Sequence, residues 1–327
     1  MEKYSTLMTK RGECPLSPHL SKLFNHIKLA SMKKKTLFAA VLAAVVLVSC
    51  HNNKQVQSET EPEYITVSTS IDNLTRVSTT GDASRFDEGD KISVYAWTGT
   101  ADEVPTANLV VNNSLNELKG GKWLPTPLMK WANMSTPHFF LSVYPARAIA
   151  DFKADPVKVD IEKQMESDLL VAVNTGESKA GLKATDNPVS LRFDHMMSKL
   201  IVELTYRNEF SKTPTVASVS TEAKNEGTID YLKGVITLKG ASAPFHLHTQ
   251  KANEAYASVI MPQAVQKFTI TIDGKSYVYT HPTPLILVKG KKQTVKLIVG
   301  RNRIELDQVV INDWGAAEDI TGGEAVD

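Results

Sequence analysis

The chain has 327 residues, with 37 Lys and Arg against 36 Asp and Glu and 42% hydrophobic residues. That balance excludes a disordered, collagen-like or multispan membrane chain, and the length suffices for two domains. Two cysteines, Cys14 and Cys50, cannot build a disulfide framework or a zinc site by themselves, so the fold must rest on an apolar core.

Residues 33–48 carry a secretory signature. Lys33, Lys34 and Lys35 form a positive start, and residues 37–48 are uncharged and, after Phe38, small or aliphatic. The run is too short for a comfortable membrane span. It ends in Leu47-Val48-Ser49-Cys50, which resembles the lipobox of bacterial lipoproteins, where the cysteine is lipidated and becomes the new N-terminus. The competing reading is a short buried helix with a free cysteine. Met32 directly precedes the lysines, so residues 1–31 read as an unfolded upstream extension and residues 32–49 as the signal peptide, which removes Cys14 from the mature chain. From Cys50 onward 29 basic residues face 34 acidic ones, a net charge of −5. Such a chain has no basic footprint for phosphate backbones, and no nucleic-acid partner is expected. Residues 51–63 are polar apart from Val56 and read as a tether. Extended at about 3.3 to 3.6 Å per residue, the stretch from Cys50 to Tyr64 reaches roughly 45 to 50 Å.

Beyond the tether, period-two alternation bounded by Gly, Pro, Asn and Asp predicts a mostly β protein. The expected strands are residues 64–71, 91–97, 138–144, 157–161, 168–173, 189–193, 198–206, 215–221, 234–238, 255–260, 267–272, 276–279, 293–299 and 303–306. In the first of them Ile65, Val67 and Ile71 share one face and Tyr64, Thr66, Ser68 and Ser70 the other, so one side is meant to be covered. Gly120-Gly121 is a turn, and Asp273-Gly274 is a tight hairpin because both residues tolerate positive φ. Short strands at this spacing favour β-sandwiches. The interruption Asp194-His195-Met196-Met197 suggests a boundary between a domain at 64–197 and one at 198–314, each of ordinary size. Residues 307–314 could form a terminal or donor strand, with pairing inside the second domain preferred, and residues 315–327, small, acidic and Gly-rich, read as a flexible tail.

Several blocks carry a family resemblance. Asn73-Leu74-Thr75-Arg76 precedes Phe86-Asp87-Glu88-Gly89-Asp90-Lys91-Ile92-Ser93-Val94-Tyr95-Ala96. Further on come Phe140-Leu141-Ser142-Val143-Tyr144-Pro145, Asp168-Leu169-Leu170-Val171-Ala172, and Val189-Ser190-Leu191-Arg192-Phe193-Asp194-His195-Met196-Met197-Ser198-Lys199-Leu200. Ala257-Ser258-Val259-Ile260-Met261-Pro262-Gln263 and Val310-Ile311-Asn312-Asp313-Trp314 complete the series. In order and spacing these blocks resemble the fimbrillin-like lipoproteins, building blocks of type V pili of Gram-negative gut and oral bacteria.

The resemblance implies an all-β chain of two transthyretin-like β-sandwich domains in tandem, lipid-anchored through Cys50 in the outer membrane at the cell surface, and carried into a pilus in members that assemble. It implies a protease that cuts after Arg or Lys near the first strand. A strand of the next subunit then fills the vacated groove, and the partners are other pilus subunits, membrane lipid, the protease and, in adhesion, host or bacterial surface ligands. Arg76 is the best processing site because it follows the first strand inside the polar turn 72–75. Its plain alternative is a solvated arginine. Arg85 sits against the Phe86–Asp90 block, and Lys54 precedes the strand.

Other chemistry is weaker. His246-Leu247-His248 places two imidazoles on one face of a strand, a metal-ligand spacing without a nearby third ligand, and exposed strand histidines are the simpler reading. His195 reads as a structural histidine, and Asp87, Glu88, Asp90, Glu222 and Glu226 as turn acids. The sequence has no nucleophile-elbow, zincin, P-loop or dinucleotide motif, so no enzyme activity, catalytic residue, metal or cofactor is expected. The alternative function is a stand-alone surface lipoprotein that binds glycans for polysaccharide uptake by stacking on Trp97, Trp123, Trp131, Trp314, Tyr95 and Tyr144. Most of these alternate with aliphatics and read as core. Trp123 and Trp131, which flank Leu124-Pro125-Thr126-Pro127, are the pair expected to be exposed. If Cys50 carries the anchor, Cys50→Ala moves the protein from the membrane fraction to the periplasm or leaves its signal uncleaved, because the affinity for lipid lies in acyl chains and not in the polar tether. Firm outer-membrane fractionation of the variant would refute the lipobox reading.

Overall fold

The computed structural model describes residues 64–71 and 85–314. The signal, Cys50, Lys54, the tether, Arg76 and the segment 315–327 lie outside those residues. In the first part of the chain the strands are β1 (Val67–Ile71), β2 (Lys91–Trp97), β3 (Val111–Lys119), β4 (Lys122–Thr126), β5 (Phe139–Tyr144), β6 (Asp155–Lys158), β7 (Leu170–Asn174) and β8 (Val189–His195). All but β6 form one sheet in the order β1-β8-β7-β5-β2-β3-β4. Next come β9 (Ser198–Tyr206), β10 (Val216–Ala223), β11 (Glu226–Asp230), β12 (Val235–Lys239), β13 (Ala243–His246) and β14 (His248–Lys251). The last are β15 (Ala255–Ile260), β16 (Ala264–Ile272), β17 (Lys275–Ile286), β18 (Lys291–Val299) and β19 (Ile304–Asp313). They form the sheets β13-β10-β16-β17 and β14-β15-β9-β18-β19, and β6 joins β11 and β12 in a third.

The seven-stranded sheet is apolar on both faces, and its two faces feed different cores. On β2, Ile92, Val94 and Ala96 enter an inner core with Phe140, Leu170, Ala172, Val189, Leu191 and Phe193. Tyr95 and Trp97 on the opposite face enter the larger core. That larger core continues through Met196 and Met197 into Leu200, Val202 and Leu204 of β9 and Val295, Leu297 and Val299 of β18, which face Val219, Phe268 and Ile270 of the second sheet. Two-sided burial explains why β2 is covered along nearly its whole length. The chain changes sheets at Met196-Met197, both buried, while β6 pairs back onto β11 in the register Val157↔Gly227. Gly227 fits there because a Cβ would stand 2.7 Å from the Thr237 carbonyl oxygen.

Most expected strands lie within a few residues of observed ones. Two of those not expected, β3 and β4, have identifiable causes. On β3 the residues opposite Ala96, Val94 and Ile92 are Val111, Ser114 and Asn116, with a bulge at Val94/Ala96 and a positive φ at Asn113. The extra residue shifts the alternation, and two of the three inward side chains are polar. β4 contains Pro125, tolerated because the strand lies at the sheet edge. The same reason lets β17 run through Pro282 and Pro284. Asp273 and Gly274 at φ 48° and 79°, and Gly120 and Gly121 at 57° and 71°, form the two-residue turns expected of them.

A buried polar cluster ties the seven-stranded sheet to the three-stranded one. Asp155, 3% exposed, accepts a 2.7 Å hydrogen bond from the Tyr231 hydroxyl and lies 3.2 Å from the Arg147 guanidinium. Arg147 also donates to the Pro156 carbonyl, and its own carbonyl accepts from Tyr95 Oη at 2.9 Å. Burial, with Asp155 adding its charge, raises the proton affinity of both tyrosines, so they remain neutral donors. Removing one member strands the others in a low-dielectric site. Asp155→Ala should cost about 2 to 4 kcal/mol in chemical denaturation, and Tyr231→Phe about 1 kcal/mol. Equal stability of all three proteins would show that the cluster does not hold the sheets together.

Candidate functional site: the first strand in its groove

β1 is seated between two neighbours that come from opposite ends of the sheet order. On one side it pairs parallel with β8, from Val67↔Val189 to Ile71↔Phe193, and the Val189 N–H donates to the Thr66 carbonyl. Asn187 helps start this ladder by accepting the Thr66 N–H at 2.9 Å. On the other side the Ile65 N–H donates to the Met129 carbonyl at 3.0 Å, and Tyr64 bridges Lys130, beyond the end of β4. The sheet therefore curls until its two ends meet across β1. Alternation does the rest: Ile65 and Ile71, 1% and 5% exposed, sink into the inner core, Val67 and Thr69 are half-buried, and Thr66, Ser68 and Ser70 face out. Between the two apolar ends, Thr69 Oγ1 accepts a hydrogen bond from Trp123 Nε1 at 3.0 Å.

An aromatic cluster closes over the distal end of β1. The Phe86 ring meets Trp123 at 5.3 Å, Tyr144 at 5.4 Å and Phe193 at 5.1 Å, each edge-on, and Phe193 is the residue opposite Ile71. The acids beside Phe86 serve the turn. Asp90 accepts from the Asp87 N–H and from the Tyr144 hydroxyl, whose pKa is pushed up to about 12 by burial and by that carboxylate. Glu88 accepts the N–H groups of Gly120 and Gly121, clasping the β3–β4 turn. Arg85 is exposed, with its guanidinium 3.6 Å from Asp87. Residues 72–84, Arg76 among them, join the end of β1 to this clasp and lie outside the described residues.

Other side chains singled out in the sequence fall elsewhere. His195 is buried, its Nδ1 2.9 Å from Asp168 Oδ2, and its ring stacks on Trp314 at 4.4 Å. His246 and His248 do not share a strand face: the chain passes from β13 to β14, in different sheets, at Leu247. His246 is exposed, whereas His248 is half-buried and bonds the Ile161 carbonyl. Glu222 and Glu226 pair with Lys267 and Lys158 on the surface. The expectation of an exposed Trp123 and Trp131 is corrected. Trp131 is 6% exposed and packs edge-on against His138 and Phe140, and Trp123 is half-buried against Phe86 and Thr69. The curl of the sheet, invisible in a proline-rich segment, folds both inward.

The described residues form a β-rich architecture in which the edge strand β1 is held on both flanks. A family model described as fimbrillin-like matches residues 75–314, and the chain belongs to that family. The fold is shared with a candidate cell adhesion protein from Bacteroides uniformis ATCC 8492, with 17% identity, TM-score 0.56, and coverage of 77% of this chain and 98% of the other. A candidate cell adhesion protein from Bacteroides ovatus ATCC 8483 matches at 15% identity, with the same coverage and TM-score. A fimbrial protein from Bacteroides vulgatus ATCC 8482 matches at 12% identity and TM-score 0.50, over 77% of this chain and all of that one. No curated protein matches the chain.

If the inner core depends on β1, truncating its buried ends is costly and truncating its outer face is not. Ile65→Ala should destabilise by about 2 to 4 kcal/mol, and Ser68→Ala by less than about 0.5 kcal/mol. Comparable losses from the two substitutions, in chemical denaturation, would contradict the observed seating.

Proposed function

We propose that this protein is a cell-surface fimbrillin-like lipoprotein, a structural or accessory subunit of a type V pilus, whose assembly follows proteolytic release of its first strand. The observation that carries this reading is the seating of β1. It is a five-residue edge strand that fills a groove in the inner core and is continuous with the polar segment containing Arg76. Cys50 holds the outer-membrane lipid, and residues 51–63 keep the folded part clear of the surface. Two tandem domains, at 64–197 and 198–314, divide the chain in this reading.

The energetics favour a trigger. Burying Ile65 and Ile71 is worth about 1.5 to 3 kcal/mol each, and the β8 ladder and the Met129 bond add to this, so the strand stays in place while it is tethered at both ends. Cleavage after Arg76 leaves it held by noncovalent contacts alone. A strand from another pilus subunit then competes for the same apolar sockets and backbone groups, as in other strand-addition complexes. Adhesion follows from display of the assembled subunits at the surface.

Trypsin-like treatment of the purified protein should release a fragment ending at Arg76 and yield SDS-resistant oligomers, and Arg76→Ala should suppress both. Efficient cutting at Arg76 that leaves a stable monomer with the strand in place would sink the polymerising reading and leave a stand-alone surface lipoprotein.

A further inference from the structure

The groove around β1 makes two kinds of hydrogen bond to its occupant, and only one kind carries sequence information. Met129 O, Asn187 Oδ1 and the Val189 N–H bond to backbone groups of residues 65 and 66, which any non-proline strand provides. Trp123 Nε1 instead bonds a side chain, Thr69 Oγ1, at 3.0 Å. The indole is half-buried, with the Phe86 ring 5.3 Å away, and it reaches Thr69 from β4, at the far end of the sheet order. Along residues 65–71 the inward positions run Ile65, Val67, Thr69, Ile71. Three are aliphatic and one is an acceptor, while the hydroxyls of Ser68 and Ser70 face outward.

We infer that Trp123 selects the strand that fills this groove, by requiring a side-chain hydrogen-bond acceptor four residues beyond the first buried aliphatic. The inference rests on the strand-exchange reading above and specifies the chemistry of the incoming partner. That partner is an extended segment with aliphatic side chains at its first, third and seventh residues and Ser, Thr, Asn, Asp or Gln at its fifth. Trp123 also fixes register. Sliding such a strand by two residues sets an aliphatic against the indole N–H and drives the hydroxyl into the socket that Ile71 occupies opposite Phe193, so both groups are left without partners. An aliphatic at the fifth position buries the indole N–H without an acceptor, which lowers an association constant roughly five- to thirtyfold at a partly buried site. Backbone pairing supplies affinity and the single indole supplies choice, the division of labour usual in strand addition.

The test uses the full purified chain, cut with trypsin, and fluorescent peptides of residues 64–71 carrying either Thr69 or the isosteric Thr69→Val change. Fluorescence polarisation should show the parent peptide binding about tenfold more tightly. On Trp123→Phe protein the two peptides should bind within about twofold of each other. Equal binding of both peptides to the unsubstituted protein overturns the inference and leaves strand exchange intact. Failure of either peptide to enter the cut protein overturns strand exchange, and the inference with it. Because Trp123→Phe could loosen the Phe86 cluster, a second measurement uses the uncut chain: Thr69→Val, Trp123→Phe and the double variant, compared by chemical denaturation. Coupling between the two sites is expected, and strictly additive losses overturn the inference.

Discussion

The pairing of β1 with β8, and its closure onto Met129, is the constraint on which the inner core depends. A curled sheet whose ends approach each other leaves a slot at the seam, and something extended must fill it, because the slot presents unmet backbone groups and apolar walls together. β1 and the two residues before it meet both needs: Ile65 and Ile71 supply apolar bulk, and the Thr66 and Ile65 backbone groups complete the two flanks. Phe86, Trp123, Tyr144 and Phe193 then cover its distal end. For the proposed exchange, a short strand at the sheet edge is the natural part to replace, whereas a central strand such as β2, covered on both faces, is not.

Beyond that seam, the described residues are held by a larger core and buried polar contacts of their own. The larger core runs without interruption from Tyr95 and Trp97 through Met196 and Met197 into the sheets of the second half. Asp155, Tyr231 and Arg147 fasten β6 and its sheet to the turn after β5. His195 stands on Asp168 and under Trp314, and the Trp314 N–H donates to the Gly290 carbonyl while the Gly290 N–H donates to Met197. The end of β19 is thereby fixed to the point where the chain changes sheets. None of these contacts involves β1.

In the proposed reading β1 is the replaceable strand and the rest is the frame, and the chain's membership in the fimbrillin-like family motivates that reading. The proposed strand exchange would add a demand for selection, since a groove lined only by backbone groups and aliphatics would accept many apolar strands. One indole N–H aimed at the fifth residue of the occupant is an economical way to discriminate, because an unmet donor in a partly dry site weighs more than a slightly misfitted methyl group.

How much of this was legible beforehand follows from which interactions are local. Short apolar runs bounded by turn residues marked β2, β9 and β15 to the residue, since that signal is local to each strand. The turn chemistry at Asp273-Gly274 and Gly120-Gly121 was equally local, as was the inward face of β1. The polar inward face of β3 was not legible, because a bulge shifts its phase and Ser114 and Asn116 bond to each other and to Pro127 just beyond β4 rather than following any alternation the sequence displays. Nor could the sequence show that Trp131 is buried, that His246 and His248 part into different sheets, or that Trp123 meets Thr69 across 54 residues of chain. The sequence by itself determined most of the strands, the tight turns and the family, because these rest on residues near one another along the chain. Only the tertiary structure decided which strand lies next to which, and so which side chain the groove presents to its occupant, because the curl that brings β4 to β1 is the sum of twist and packing over seven strands.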